Sequence, residues 1–79
     1  MLSAAVFLVV DDHPESRYLL VRTLLRKFPE AIIEEFDSAE PALARVRQGE
    51  VTAIITHRTY DVTGIELVRM FRAADPRVP

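Results

Sequence analysis

The chain has no cysteine and no tryptophan, and only two of its 79 residues are glycine. Without cysteine it has no disulfide, no thiolate metal ligand and no cysteine nucleophile. The net charge is only -2, so neither sign is in large excess. The composition therefore does not indicate binding to nucleic acid or to an anionic membrane. Residues 1–10 are mostly apolar but too short to span a bilayer, and they include no basic n-region of a signal peptide. These absences predict one soluble, cytoplasmic domain.

An unbroken apolar run stands near the start of the chain. Residues 6–10 read VFLVV and lead directly into two carboxylates, Asp11 and Asp12. Such a run is typical of a strand buried on both faces of a parallel sheet. Pro14 suits the first turn of a following helix. Ligands of open α/β sheets bind beyond the carboxyl ends of the strands, so Asp11 and Asp12 are predicted to form a cation site.

The rest of the chain alternates between helical and extended patterns. We predict a helix over 14–28, a strand over 31–36, a helix from a cap at 37 or 38 to a stop at Gly49, a strand over 51–56, and a helix over 65–73. This order predicts an α/β domain with a parallel sheet and right-handed crossovers, covering residues 1–79.

Two side-chain assignments follow from the helical periodicity. In the third helix, Ile65, Leu67, Val68 and Phe71 are expected to face inward. In the first helix, the arginines are expected to form the solvent-facing side.

Three segments together resemble a known family, the receiver domain of bacterial response regulators. They are residues 7–14 (FLVVDDHP), the helix over 17–28, and Gly64-Ile65-Glu66-Leu67-Val68 followed by Phe71-Arg72. The resemblance covers nearly all of this chain but only the part of such a domain up to its third helix. It implies a flavodoxin-like, three-layer α/β/α fold with strand order 2-1-3, and a role in phosphorelay (two-component) signalling.

The resemblance also implies a phosphoryl site, and this chain departs from it. In the family, the acid pair helps to hold Mg²⁺, and an aspartate at the end of the third strand takes a phosphoryl group from a histidine kinase. Here Asp11 and Asp12 match the pair, but Thr56 stands at the acceptor position. A hydroxyl cannot form an acyl phosphate, and one metal ligand is lost. We therefore expect a non-enzymatic pseudo-receiver with weak Mg²⁺ binding at most, which contacts a histidine kinase or an output domain.

Other uses of these residues stay open. His13 and His57 follow the ends of strands that should be neighbours, so with Asp11 or Asp12 they could hold a divalent metal such as zinc. Asp61 could serve as a replacement phosphoacceptor. The simpler interpretation is that the histidines lie in solvated loops, that Asp61 is a turn residue, and that the acid pair is solvated beside a helix amino end. Two adjacent carboxylates are also expected to raise the pKa of one of them.

The chain has no match for the fourth and fifth strands of the family, which supply a hydroxyl residue and a lysine to the phosphoryl site. The third strand is therefore expected to have an open edge, which is a template for pairing. We expect either a homo-oligomer that completes the sheet with a second copy or a piece of a longer protein.

Overall fold

A computed structural model of the chain describes residues 4–57 and 64–78. The elements are β1 (Val6–Val10), α1 (Pro14–Lys27), β2 (Ile32–Phe36), α2 (Ala39–Arg47), β3 (Ala53–Thr56) and α3 (Gly64–Ala74). The predicted alternation is confirmed, with small shifts at the ends of the elements. Within the described ranges, none of the helices has the length and apolar character needed to cross a membrane.

The three strands form one parallel sheet in the order β2-β1-β3, as the sequence predicts. Val10, the last residue of β1, is in register with Phe36 at the end of β2 and with Thr56 at the end of β3. The carboxyl ends of all three strands therefore meet at one edge of the sheet. This edge is where the predicted site residues converge.

The central strand is buried on both faces. Leu8, Val9 and Val10 are fully inaccessible to solvent. One face packs against α2 and α3 in a core formed by Leu8, Val10, Ala39, Ala42, Leu43, Val46, Leu67 and Phe71. On the other face, Phe7 contacts Phe28 after the end of α1, with ring centroids 5.1 Å apart. The sheet thus lies between α1 on one side and α2 with α3 on the other, which gives the three layers expected.

The end of α2 is fixed by backbone conformation and by one arginine. Gly49 follows the helix with φ 89°, a left-handed conformation that favours glycine, and it is the stop that the sequence predicts. Arg45 donates to the carbonyl of Gly49 at 2.9 Å and to the carboxylate of Glu34 at 2.9 Å. The last turn of α2 is thereby tied to β2.

The helical faces are less completely covered than the sequence predicts. Leu67 and Phe71 are buried as expected, but Ile65 is 71% exposed and Val68 is 52% exposed, so their predicted inward orientation is wrong. Leu67 and Phe71 lie four residues apart and occupy the contact face of α3, and the other two lie outside it. The apolar surface of α3 is thus wider than the surface that it buries in the described residues.

Candidate functional site at the carboxyl edge of the sheet

Asp11 follows β1 directly and is fully buried. Its Oδ1 accepts a hydrogen bond from the backbone N–H of His13 at 2.9 Å, and its Oδ2 lies 3.2 Å from Nδ1 of His57. Its own N–H donates to the carbonyl of Phe36 at 3.0 Å. Asp11 is therefore an interior carboxylate that joins neighbouring segments, and the expectation that it is solvated is wrong.

Opposing influences act on the pKa of Asp11. Burial is the largest single influence and raises the pKa, but hydrogen bonds from the Ser16 hydroxyl, the His13 backbone and His57 together lower it below 3.8. For Asp11 this is opposite to the increase in pKa expected from a neighbouring carboxylate, because the local hydrogen-bond donors outweigh burial. Asp11 is ionised at neutral pH.

His57 is held by the same carboxylate. Its backbone N–H donates to the carbonyl of Val10 at 3.0 Å, and its Nδ1 lies 3.3 Å from Oγ of Ser16 as well as 3.2 Å from Asp11. An ionised carboxylate only accepts, so the proton of the ring lies on Nδ1. Because the serine and the aspartate both contact Nδ1, these three residues do not form a serine–histidine–aspartate relay, which uses both ring nitrogens.

The remaining predicted site residues have different surroundings. His13 is the N-cap of α1, and its Nδ1 accepts a hydrogen bond from the backbone N–H of Ser16 at 3.3 Å. Thr56 is exposed at the end of β3, and Asp12 is partly buried after Asp11. Asp61 lies outside the described residues.

Arg17 is a site residue that the sequence reasoning missed. Its Nη1 donates to the backbone carbonyl of Asp11 at 2.7 Å, and its Nε donates to the carboxylate of Glu35 at 3.2 Å. The prediction that it belongs to the solvent face of α1 is wrong. The spacing in the sequence could have indicated this orientation. Arg17 lies one helical turn before Leu20 and Val21, on the same inward-facing side of α1 as Leu24.

The described residues are not arranged as a magnesium site. Across residues 4–57 and 64–78, no three histidine, aspartate or glutamate side chains converge to hold a metal ion. Mg²⁺ requires several oxygen ligands in octahedral geometry. Both oxygens of Asp11 already accept hydrogen bonds, and Thr56 supplies a hydroxyl in place of a carboxylate. The predicted site for a divalent metal such as zinc has the same difficulty. Asp11 and His57 do lie together, but they hydrogen-bond to each other, and His13 is the N-cap of α1.

Comparisons with known proteins identify the fold. No family model and no curated protein matches the chain. The chain is similar to the solved structure of a response regulator receiver protein from Pseudomonas putida, with a TM-score of 0.76 and 27% identity over 95% of this chain and 62% of that one. An uncharacterized protein from Neptuniibacter caesariensis matches with a TM-score of 0.83 and 21% identity over 94% of this chain and 54% of that one.

These similarities confirm the expected fold. The chain has the flavodoxin-like fold of a receiver domain, with the strand order that the resemblance implies. It spans between 54% and 62% of the length of these two structures.

Proposed function

We propose that this chain is an atypical receiver-type regulatory module of phosphorelay, or two-component, signalling. It acts through protein contact rather than through an aspartyl phosphate at the end of β3. The receiver fold supports the signalling role. The observation that carries the atypical mechanism is Thr56, which is in register with Val10 and therefore stands beside the acid pair where a carboxylate acceptor would be needed.

Two features of the site support the absence of acyl-phosphate chemistry. The hydroxyl of Thr56 cannot form the mixed anhydride that a carboxylate nucleophile forms. The carboxylate of Asp11 is buried. One of its oxygens accepts a hydrogen bond from the backbone N–H of His13, and the other contacts Nδ1 of His57. A phosphoryl group would thus lack a carboxylate acceptor at position 56, and its Mg²⁺ counter-ion would lack Asp11 as a ligand.

Exposed apolar side chains supply the area for protein contact. Tyr18 and Leu19 on α1 are 58% and 64% exposed, and Ile65 and Val68 on α3 are also largely exposed. The proposed partners are a histidine kinase or an output domain, in the cytoplasm. In this proposal the chain is not itself an enzyme and contacts neither nucleic acid nor a membrane.

Labelling with acetyl phosphate and Mg²⁺ tests the atypical mechanism. An acyl phosphate is hydrolysed by mild alkali, so the chain should carry no alkali-labile phosphoryl group by mass spectrometry, whereas a receiver with an acceptor aspartate, treated in parallel, should carry one. A labile group on this chain would overturn the proposal. If Asp61→Asn then removed that group, the acceptor would be Asp61 and the module would be an active receiver.

We also infer that the chain self-associates through the outer edge of β3. Among the described residues, β3 pairs only with β1, so its other edge carries backbone groups without a strand partner. Pairing of two such edges would extend the sheet and cover apolar surface at Ile54 and Val68. Self-association is one form of the contact function proposed here.

A further inference from the structure

One edge of the His57 ring is anchored and the other meets solvent. Nδ1 lies 3.2 Å from Asp11, whose side chain is fully buried, whereas the His57 side chain is 57% exposed. The exposed part of the ring is therefore the side opposite Nδ1, which carries Nε2. Among the described residues, Nε2 has no hydrogen-bond partner.

The contact with Asp11 also sets the chemistry of the exposed nitrogen. Because Nδ1 carries the proton, the neutral imidazole has its free electron pair on Nε2, which makes this atom a nucleophile. Attack by Nε2 on an electrophile gives a cationic imidazole ring. That charge would develop against the ionised carboxylate of Asp11, which stabilises it and holds the ring in place.

The other histidine has the opposite arrangement. Nδ1 of His13 accepts from the backbone N–H of Ser16, so in the neutral ring the proton lies on Nε2. His13 thus has no free electron pair at Nε2, and no described hydrogen bond joins its ring to a carboxylate side chain. The structure therefore distinguishes the two histidines of the chain.

We propose that His57 is a phosphoryl acceptor that is modified on Nε2. The inference deepens the proposed function, because it supplies that module with a covalent input that does not need an aspartate at the end of β3.

With phosphoramidate as donor, Nε2 forms a bond to phosphorus while the phosphorus–nitrogen bond of the donor breaks. Ammonia leaves with the electron pair of that bond. The donor nitrogen already carries three hydrogens in its zwitterionic form, and the Nδ1 proton of His57 stays in place.

The test is to incubate the chain with phosphoramidate and to follow the mass of the intact protein. Wild type should gain one phosphoryl group that survives alkali and is lost in mild acid, which is the behaviour of a phosphohistidine. His57→Asn should gain none, because the asparagine amide can still donate to Asp11 but has no equivalent of Nε2. His13→Asn, the matched control, should be labelled like wild type.

Failure of wild type to gain the group, or its retention in His57→Asn, would overturn the inference. Asp11→Asn should be labelled at least about tenfold more slowly, since it removes the charge that stabilises the cationic ring. Its folding is checked by circular dichroism, and His57→Asn keeps the test decisive if Asp11→Asn is unfolded. Alkali treatment after labelling with acetyl phosphate reads out the proposed function separately, because an acyl phosphate is lost in alkali and a phosphohistidine is kept, so the two can fail independently.

Discussion

At the residue scale, Asp11 connects three parts of the molecule. It follows β1, it accepts hydrogen bonds from His13 and Ser16 at the start of α1, and it contacts His57 after β3. A buried carboxylate is stabilised only when its oxygens are satisfied, and here each oxygen has a donor. Any change at this position therefore affects the whole carboxyl edge of the sheet.

Replacing Asp11 by asparagine should destabilise the fold. The asparagine amide keeps one acceptor oxygen, but an NH₂ group replaces the other oxygen, and this group cannot accept a hydrogen bond. We therefore expect a loss of about 1–3 kcal/mol in the free energy of unfolding. Urea unfolding measures the change. Glu35→Gln is the control, because it changes a half-exposed carboxylate paired with Arg17 and should cost less. Equal losses in the two variants would contradict the role given to Asp11.

Stability should fall in acid, in a direction set by the pKa of Asp11. The pKa is lower in the folded chain than its usual 3.8, so the native state favours the ionised form. This contribution is present above the unfolded pKa and is lost as the pH falls through the folded one. The unfolding midpoint in urea should therefore decrease as the pH falls below 3.8, and Asp11→Asn should flatten the decrease.

A second aspartate affects the same pH range and needs its own control. Hydrogen bonds from Arg77 lower the pKa of Asp75 in the folded chain. Ionised Asp75 therefore also stabilises the folded state, and this contribution is likewise lost in acid. The Asp11 effect is therefore measured in an Asp75→Asn background. If stability in that background falls equally at acid pH with and without Asp11→Asn, Asp11 is not the group responsible.

Mg²⁺ should produce no saturable stabilisation of this chain. A ligand that binds only the folded state raises stability with its concentration, so a real site would show as a rising and then levelling melting temperature. Thermal unfolding across a Mg²⁺ series, with Ca²⁺ as the ionic control, measures this. A saturable increase that Asp12→Asn abolishes would contradict the description of the site and restore the acid pair as a metal site.

At the scale of elements, the order and type of the six elements in the described residues could be predicted from the sequence. The apolar run of β1, the proline at the start of α1 and Gly49 after α2 each have a local physical cause that is visible in the residues alone. What could not be predicted was tertiary. The burial of Asp11 and the turn of Arg17 towards the backbone depend on how α1 lies across the edge of the sheet. The exposure of Ile65 and Val68 depends on which part of α3 meets the core.

The unequal burial of the helices predicts unequal costs of truncation. Leu43 on α2 is 3% exposed and belongs to the core, whereas Leu19 on α1 is 64% exposed. Leu43→Ala should cost about 2–5 kcal/mol because it leaves a cavity. The same change at Leu19 should stay within about 0.5 kcal/mol. Chemical unfolding of both variants gives the comparison, and a large loss at Leu19 would mean that α1 is covered in solution.

At the scale of the whole molecule, the open edge of β3 predicts association. Sedimentation velocity over a wide range of concentrations should show a discrete dimer that dissociates on dilution, since edge pairing buries both apolar and backbone groups. Ile54→Lys places a charge beside the pairing edge and should shift the chain towards monomer. A monomer at all concentrations would contradict pairing through β3.

The central claim is that the module works through contact and does not depend on modification at position 56. The direct measurement is the affinity of wild type and of Thr56→Ala for a panel of histidine kinase phosphotransfer domains and response regulator output domains. The account predicts saturable binding to at least one of them, with the same Kd for both chains and with no requirement for acetyl phosphate. Binding to none, or binding that needs acetyl phosphate and is lost in Thr56→Ala, would contradict it.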